Sequence, residues 1–286
     1  MNFGGSRLGF WFRSRTNPPS GTARSDTRGK NALIVYDVKA SFAVIVRNQV
    51  VDPYPQKRAG FVNSMDTYSD ELKTRLQSFG WNVTIVTSYP DFLNRPSNSN
   101  ISQIWDLSFS AILPTNVATA YSNYVKSGGA LYLMGEEPDH YNKRNFSMCQ
   151  FIGNLGGGYV EPHYLGALYP PPSTMAQEFA LIWNDSTVQQ DYIAFFKNWG
   201  AVGSGRFSDT TGTKILYGPA GNDGFPYPDE REDRVYAAMW KKGSLADAPT
   251  GSVILVLDST YFLFDSNPSD HRPNFIENMI FCLDYK

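Results

Sequence analysis

Glu136, Glu137, Asp139 and His140 form the best candidate group of side chains in this chain for moving protons or holding a cation. They follow directly on the apolar run Ala130–Met134 and Gly135. Carboxylates and an imidazole this close can serve as a general acid/base pair or as ligands of a divalent ion. On an extended segment, however, adjacent side chains point to opposite sides. Glu136 and Glu137 would then not act together on one substrate atom. The plainer alternative is a solvated acidic loop at the end of a strand.

Two further carboxylates stand in the same relation to an apolar run. Asp37 ends NALIVYD at 31–37, and Asp258 follows GSVILVL at 251–257. If these runs are parallel strands, Asp37, Glu136 and Asp258 meet beyond their carboxyl ends, where open α/β sheets take ligands. Three carboxylates there could bind a divalent cation or the hydroxyls of a sugar. They could equally cap following helices or hold loop backbone. Asp37, Glu136, Glu137 and Asp258 are thus the ligand-binding candidates, and Glu136, Asp258 and His140 the catalytic ones if the chain is an enzyme.

Other motifs carry less. His163 and His271 stand apart, in EPHY and SDHRPN, with no HExxH spacing. Ser259 lacks a G-x-S-x-G setting. GNLGGG at 153–158 follows a helical pattern rather than a strand, which argues against a phosphate cradle. Two cysteines, Cys149 and Cys282, make neither a disulfide framework nor a zinc site, and both read as buried thiols. The sequons at Asn82, Asn100, Asn145 and Asn184 read as products of an Asn- and Ser-rich chain. No metal and no cofactor is implied.

The elements that must position these groups alternate. After the 31–37 strand come a short apolar run at 41–46 and a Pro-containing loop at 48–56. Tyr68, Leu72, Leu76 and Phe79 give helical spacing over 67–79, with Gly80 as its C-cap and a strand over 81–87. Strand, helix, glycine, strand is the signature of a βαβ unit and a parallel sheet. A third strand is predicted over 103–109, then a helix over 115–126 capped by Thr115 and closed by Gly128 and Gly129. Ala130–Met134 is the central strand. A helix over 145–155 with Phe146, Cys149 and Ile152 on one face follows, then an extended start at Tyr159. Residues 161–234 read as an elaboration on the main sheet, with a strand over 177–183, an ambiguous segment over 191–199 and a long polar loop over 218–234. Strands over 235–241 and 251–257 and a closing helix over 272–283, lined by Phe275, Met279 and Cys282, complete the chain.

This pattern resembles the class I glutamine amidotransferase-like fold, a flavodoxin-like α/β sandwich with a mostly parallel central sheet, and most closely its ThuA-like branch. The resemblance rests on ALIVYD at 32–37, the strand entry at 80–87, SGGALYLMGE at 127–136 and the end block GSVILVLDSTYF with NFIENMIFCL. It covers most of 31–160 and 235–286. The family's active members place a nucleophilic Cys at the turn after the strand matching Ala130–Met134. Here that turn holds Gly135, Glu136 and Glu137. A carboxylate does not replace a thiolate as acyl acceptor, so the resemblance implies the fold without glutamine hydrolysis.

With 286 residues, 42% of them hydrophobic, the chain can bury a large core. A net charge of −2 provides no field to recruit nucleic acid or a membrane surface. That average conceals an asymmetry. Residues 1–30 contain Arg7, Arg13, Arg15, Arg24, Arg28 and Lys30 against Asp26 alone, so the remainder is acidic. This stretch shows no helical or strand period over its length and reads as an extended basic arm on a single α/β domain of residues 31–286. Within it, LGFWF at 8–12 is a compact apolar cluster flanked by Arg7 and Arg13. With no continuous apolar stretch of secretory type in the arm, synthesis in the cytoplasm is expected. No run is long enough to span a membrane.

The leading expectation is a non-catalytic structural or interaction protein of a larger assembly, such as a virus particle. It would bind protein partners or copies of itself through Leu8, Phe10, Trp11, Phe12, Arg13 and Arg15. The alternatives are a hydrolase or sugar-active enzyme using the strand-end carboxylates, and a carbohydrate-binding module using the Tyr- and Trp-rich loops.

Overall fold

The computed structural model describes residues 29–37, 44–46, 49–51, 55–95, 100–108, 112–135, 144–162, 174–175, 205–208, 210–217, 234–257 and 272–283. Apart from Gly29 and Lys30, the basic arm lies outside them, as do the expected segments at 177–183 and 191–199.

Apolar, β-branched runs supply the strands. β1 (Asn31–Val35) is followed by a small hairpin, β2 (Val44–Val46) with β3 (Gln49–Val51). α1 (Pro55–Ser78), β4 (Asn82–Val86), α2 (Tyr89–Leu93) and β5 (Gln103–Asp106) come next. Then come α3 (Thr115–Lys126), β6 (Ala130–Met134), α4 (Arg144–Asn154) and β7 (Tyr159–Pro162). The chain continues through β8 (Thr174–Met175), β9 (Gly205–Ser208), β10 (Thr213–Tyr217), β11 (Arg234–Trp240), β12 (Ser252–Val256) and α5 (Arg272–Leu283).

Five strands, in the order β4-β1-β5-β6-β12, run parallel. Numbered among themselves by sequence, that order is 2-1-3-4-5, the flavodoxin-like doubly wound arrangement. β11 adds to β12 antiparallel, and β10, β8, β9 and β7 extend the same sheet beyond it, all antiparallel. Side chains alternate across the parallel core. Ile34, Trp105, Tyr132 and Ile254 face Leu72 and Leu76 of α1 and Ile276, Met279 and Ile280 of α5. Leu33, Ile104, Leu131 and Leu255 face α2, α3 and α4. The result is a three-layer α/β sandwich, as the sequence predicts.

Two glycines end helices where the chain must turn into a strand. Gly80, at φ +83°, lets its own N–H reach Gln77 O and the Trp81 N–H reach Leu76 O. Gly128, at φ +96°, does the same, its N–H meeting Val125 O while Gly129 bonds Tyr124 O. Both are Schellman closures, which glycine makes without strain. Buried polar side chains close α5 instead. Gln103 donates to Ile280 O and Ser252 to Leu283 O, satisfying carbonyls that a helix end leaves orphaned.

Several expectations need correction. α1 begins at Pro55, a dozen residues before the predicted start and inside the predicted loop. Proline is preorganised for a first helical position, and Tyr68, Leu72, Leu76 and Phe79 mark a later stretch that packs on the sheet. Thr115 does not cap α3: the N-cap is Pro114, with no side-chain bond, and Thr115 is already helical. Phe146 is exposed, and α4 instead buries Arg144, Asn145, Met148, Cys149, Phe151 and Ile152. Met279 and Cys282 do line the inside of α5, whereas the side chain of Phe275 lies outside the described residues.

Candidate functional site

In the 2-1-3-4-5 order, the topological switch point lies between β1 and β5, and the ligand crevice of such folds opens beyond their carboxyl ends. Asp37 follows β1 here, and Asp106 and Ser108 end β5. The Asp37 carboxylate accepts from the Tyr89 N–H at 2.9 Å, at the start of α2. Its backbone N–H donates to Ser108 Oγ at 3.0 Å. Asp37 is buried and thereby fastens the β1 turn to both neighbouring turns.

Asp106 holds the centre. Its Oδ1 accepts the Ser108 N–H at 2.8 Å and lies 3.0 Å from Arg144 Nη2. Its Oδ2 accepts the hydroxyls of Tyr89 at 3.0 Å and Tyr121 at 3.2 Å. Arg144 also donates from Nη1 to the Tyr89 hydroxyl oxygen at 2.9 Å and from Nε to Met134 O at 2.5 Å. One guanidinium and one carboxylate thus link the ends of β5 and β6 to α2, α3 and α4.

Burial alone would disfavour the Arg144 charge, but Asp106 and the two tyrosine oxygens outweigh it and raise its pKa. A cation at the first residue of a helix also opposes the helix dipole, so Asp106 offsets two costs at once. Burial likewise pushes the Tyr89 phenol up against the pull of Arg144, with Asp106 adding to the rise. Burial and then Asp106 do the same for Tyr121. These groups keep their protons and satisfy one another. A catalytic acid or base must come within hydrogen-bond reach of a substrate atom, whereas the Arg144 and Asp106 side chains have no exposure. The cluster acts as a clamp on the crevice floor.

Of the catalytic, ligand-binding and partner-binding candidates, Asp37 is the one among the described residues. Glu136, Glu137, Asp139, His140 and Asp258 lie outside the described residues, as do His163, Ser259, His271 and the arm side chains Leu8, Phe10, Trp11, Phe12, Arg13 and Arg15. The positions just before two of them are visible. Gly135 donates to Val256 O at 2.7 Å, and Asn145 Nδ2 donates to Leu257 O at 2.9 Å. The ends of β6 and β12 therefore lie side by side, on the same sheet edge as Asp37.

Both cysteines are buried thiols, Cys149 in α4 and Cys282 in α5. Among the described residues, no three His, Cys, Asp or Glu side chains gather as a metal site. Nor is any described helix long and apolar enough to cross a membrane. Asn145 is fully buried, which removes its sequon as an acceptor in the folded chain.

Sequence reasoning missed Asp106 and Arg144. The signal was an acid inside the apolar run Ile104-Trp105-Asp106-Leu107, since a buried carboxylate needs a partner.

No protein-family model matches the chain, and neither does any curated protein. Among solved structures, the chain is similar to the mmIFT52 N-terminal domain, with a TM-score of 0.47 and 10% identity over 87% of this chain and 95% of that one. It is also similar to a putative ThuA-like protein from Bacteroides uniformis, with a TM-score of 0.45 and 13% identity over 92% of this chain and 94% of that one.

Proposed function

We propose that the chain is a non-catalytic interaction protein of a larger assembly, in which a flavodoxin-like body carries a basic, aromatic arm onto a neighbouring protein. The observation behind this reading is the use made of the switch point. Where such folds take ligands, Asp37, Asp106 and Arg144 are spent on one another and on loop backbone. The arm supplies what the crevice does not. Leu8, Phe10, Trp11 and Phe12 offer apolar area, and Arg13 and Arg15 match an acidic body. Burying one such apolar side chain contributes roughly 1.5–3 kcal/mol, against about 1–2 kcal/mol per ordered backbone residue. The cluster can anchor a short segment, and the rest of the arm needs backbone bonds or Arg–carboxylate pairs.

Light scattering of the full chain tests this. A mass above the 32.0 kDa of one chain is expected, reduced more by Trp11→Ala than by Arg13→Ala or Arg15→Ala and only partly by high salt. A single-chain mass at every concentration, or an assembly that Trp11→Ala leaves intact, would overturn the reading.

One observation favours a second reading. The ends of β6 and β12 adjoin, which supports a hydrolytic or sugar-active site built from Glu136, Asp258 and His140. Glycoside turnover that is lost in Glu136→Gln would establish it.

A further inference from the structure

Two helices on one side of the sheet turn a charge-free face to solvent. α3 and α4 cover the same side, and across their amino-terminal ends the Leu113 N–H donates to Ser147 Oγ at 3.0 Å. α3 exposes Thr115, Asn116, Thr119 and Asn123, and α4 exposes Phe146, Gln150, Gly153 and Asn154. From Thr115 to Val125, and from Asn145 to Asn154, there is no Asp, Glu, Lys or Arg, although these types make up 18% of the chain. On the other side of the sheet, α1 carries Asp70, Glu71, Lys73 and Arg75 within two turns. Ile112 and Phe146, 49% and 41% exposed, stand at the amino ends of the same two helices. Ordinary soluble surfaces intersperse charges of both signs. The cores of protein interfaces are depleted in charge and richer in aromatic side chains.

We propose that this face is a contact between two copies of the chain, with α3 packed against α3 about a twofold axis. The inference concerns the body and goes beyond the reading of the arm. The charge distribution favours a second copy as the occupant. The body is acidic, so two bodies repel unless they meet through a surface without charge. Near a twofold axis each residue faces its own mate, and an ion placed there meets its like. α3 offers Thr119 and Asn123 at that place instead. A charged partner of another kind would find no ion here to pair with, and its field would draw it to the charged surfaces. The short side chains of Ala118, Thr119 and Ser122 allow a close helix approach. Area sets the strength. At ~1.5 Å per residue and about 10 Å between helices, the face measures roughly 18 by 20 Å. That is under half of the ~800 Å² that each partner gives to a standard interface, so the dimer is reversible on dilution.

The test is sedimentation velocity of full-length chains over a range of concentrations, with Trp11→Ala present throughout to remove association through the arm. A reversible two-chain species is expected. Thr119→Glu with Asn123→Glu should weaken it roughly tenfold or more, as should Thr119→Lys with Asn123→Lys, because each sets like charges across the axis. Mixing the Glu chain with the Lys chain should restore the two-chain species. All four side chains replaced are exposed helix positions, and circular dichroism checks each fold. A one-chain mass at every concentration would overturn the inference, and a wild-type assembly that Trp11→Ala dissolves would leave the proposed function standing. A dimer that neither charged pair disturbs would overturn it by placing the contact elsewhere. Loss in both variants without recovery on mixing would overturn the twofold α3 contact. If Trp11→Ala changes nothing and the charged pairs behave as expected, the arm reading falls and this inference holds.

Discussion

Arg144 Nη2 lies 3.0 Å from Asp106 Oδ1 beneath the carboxyl ends of the sheet, and neither side chain has any solvent exposure. Removing one member strands the other's charge in the core, which typically costs about 3–5 kcal/mol. Asp106→Ala is therefore expected to lower the urea midpoint sharply. Asp106→Leu with Arg144→Met should recover much of the loss, because an apolar pair of similar volume leaves no charge unpaired. If the double substitution is as damaging as the single, the bonds of Arg144 to Met134 O and Tyr89 carry the stability instead of the pair.

The tyrosines give the fold an alkaline limit. Burial, the largest cause, raises Tyr89, Tyr121 and Tyr132 above the ordinary phenol value. In the unfolded chain they release protons near pH ~10. Above that pH the native state holds more protons than the unfolded one, so stability falls as pH rises and is fully present below it. Urea midpoints should stay level through neutral pH and decline above about pH 10, with a shallower decline in Tyr121→Phe. A midpoint independent of pH up to 11 would mean that these phenols open to solvent in the folded chain.

Neither cysteine is placed to act as a nucleophile. Both are buried, and burial pushes the Cys149 thiol far above its ordinary range. The thiolate is the reactive species. Ellman's reagent is expected to label neither thiol in the native chain and both in urea. By the same logic the chain should release no ammonia from glutamine. Release that disappears in Cys149→Ser would contradict the burial and the resemblance-based expectation together.

The sheet was legible in the sequence because its physics is local. NALIV, ALYLM and SVILV are short apolar runs that read as strands buried on both faces, and the glycines at 80 and 128 stop the helices between strands. The start of α1 was not legible, since Pro53 and Pro55 read as loop residues ahead of it. The clamp was hidden for another reason. Asp106, Tyr89, Tyr121 and Arg144 come from four elements, and each looks unremarkable alone. Only the 2-1-3-4-5 order brings Tyr89, Tyr121 and Arg144 each within 3.2 Å of Asp106. Asp37 follows β1, and its bonds to the Tyr89 N–H and Ser108 Oγ hold backbone and a neighbouring loop.

The end of β6 supplies the sharpest packing test. A Cβ on Gly135 would overlap Asn145 Oδ1 and come within 2.6 Å of Met148 Cε. Asn145 cannot easily yield, because its amide donates to Leu257 O and ties α4 to the end of β12. Gly135→Ala is therefore expected to destabilise by about 1–3 kcal/mol, the usual cost of overpacking a filled site. Asn145→Ala should cost about 1–3 kcal/mol for a different reason: it leaves a buried carbonyl without its donor. Combined, the two should cost clearly less than their sum, because truncating Asn145 makes room for the new methyl group. Denaturant unfolding of the four proteins in this cycle measures the coupling. Additive costs would show that the methyl collides with Met148 or the strand backbone, and that Asn145 does not dictate glycine at the turn where the resembling enzymes place their nucleophile.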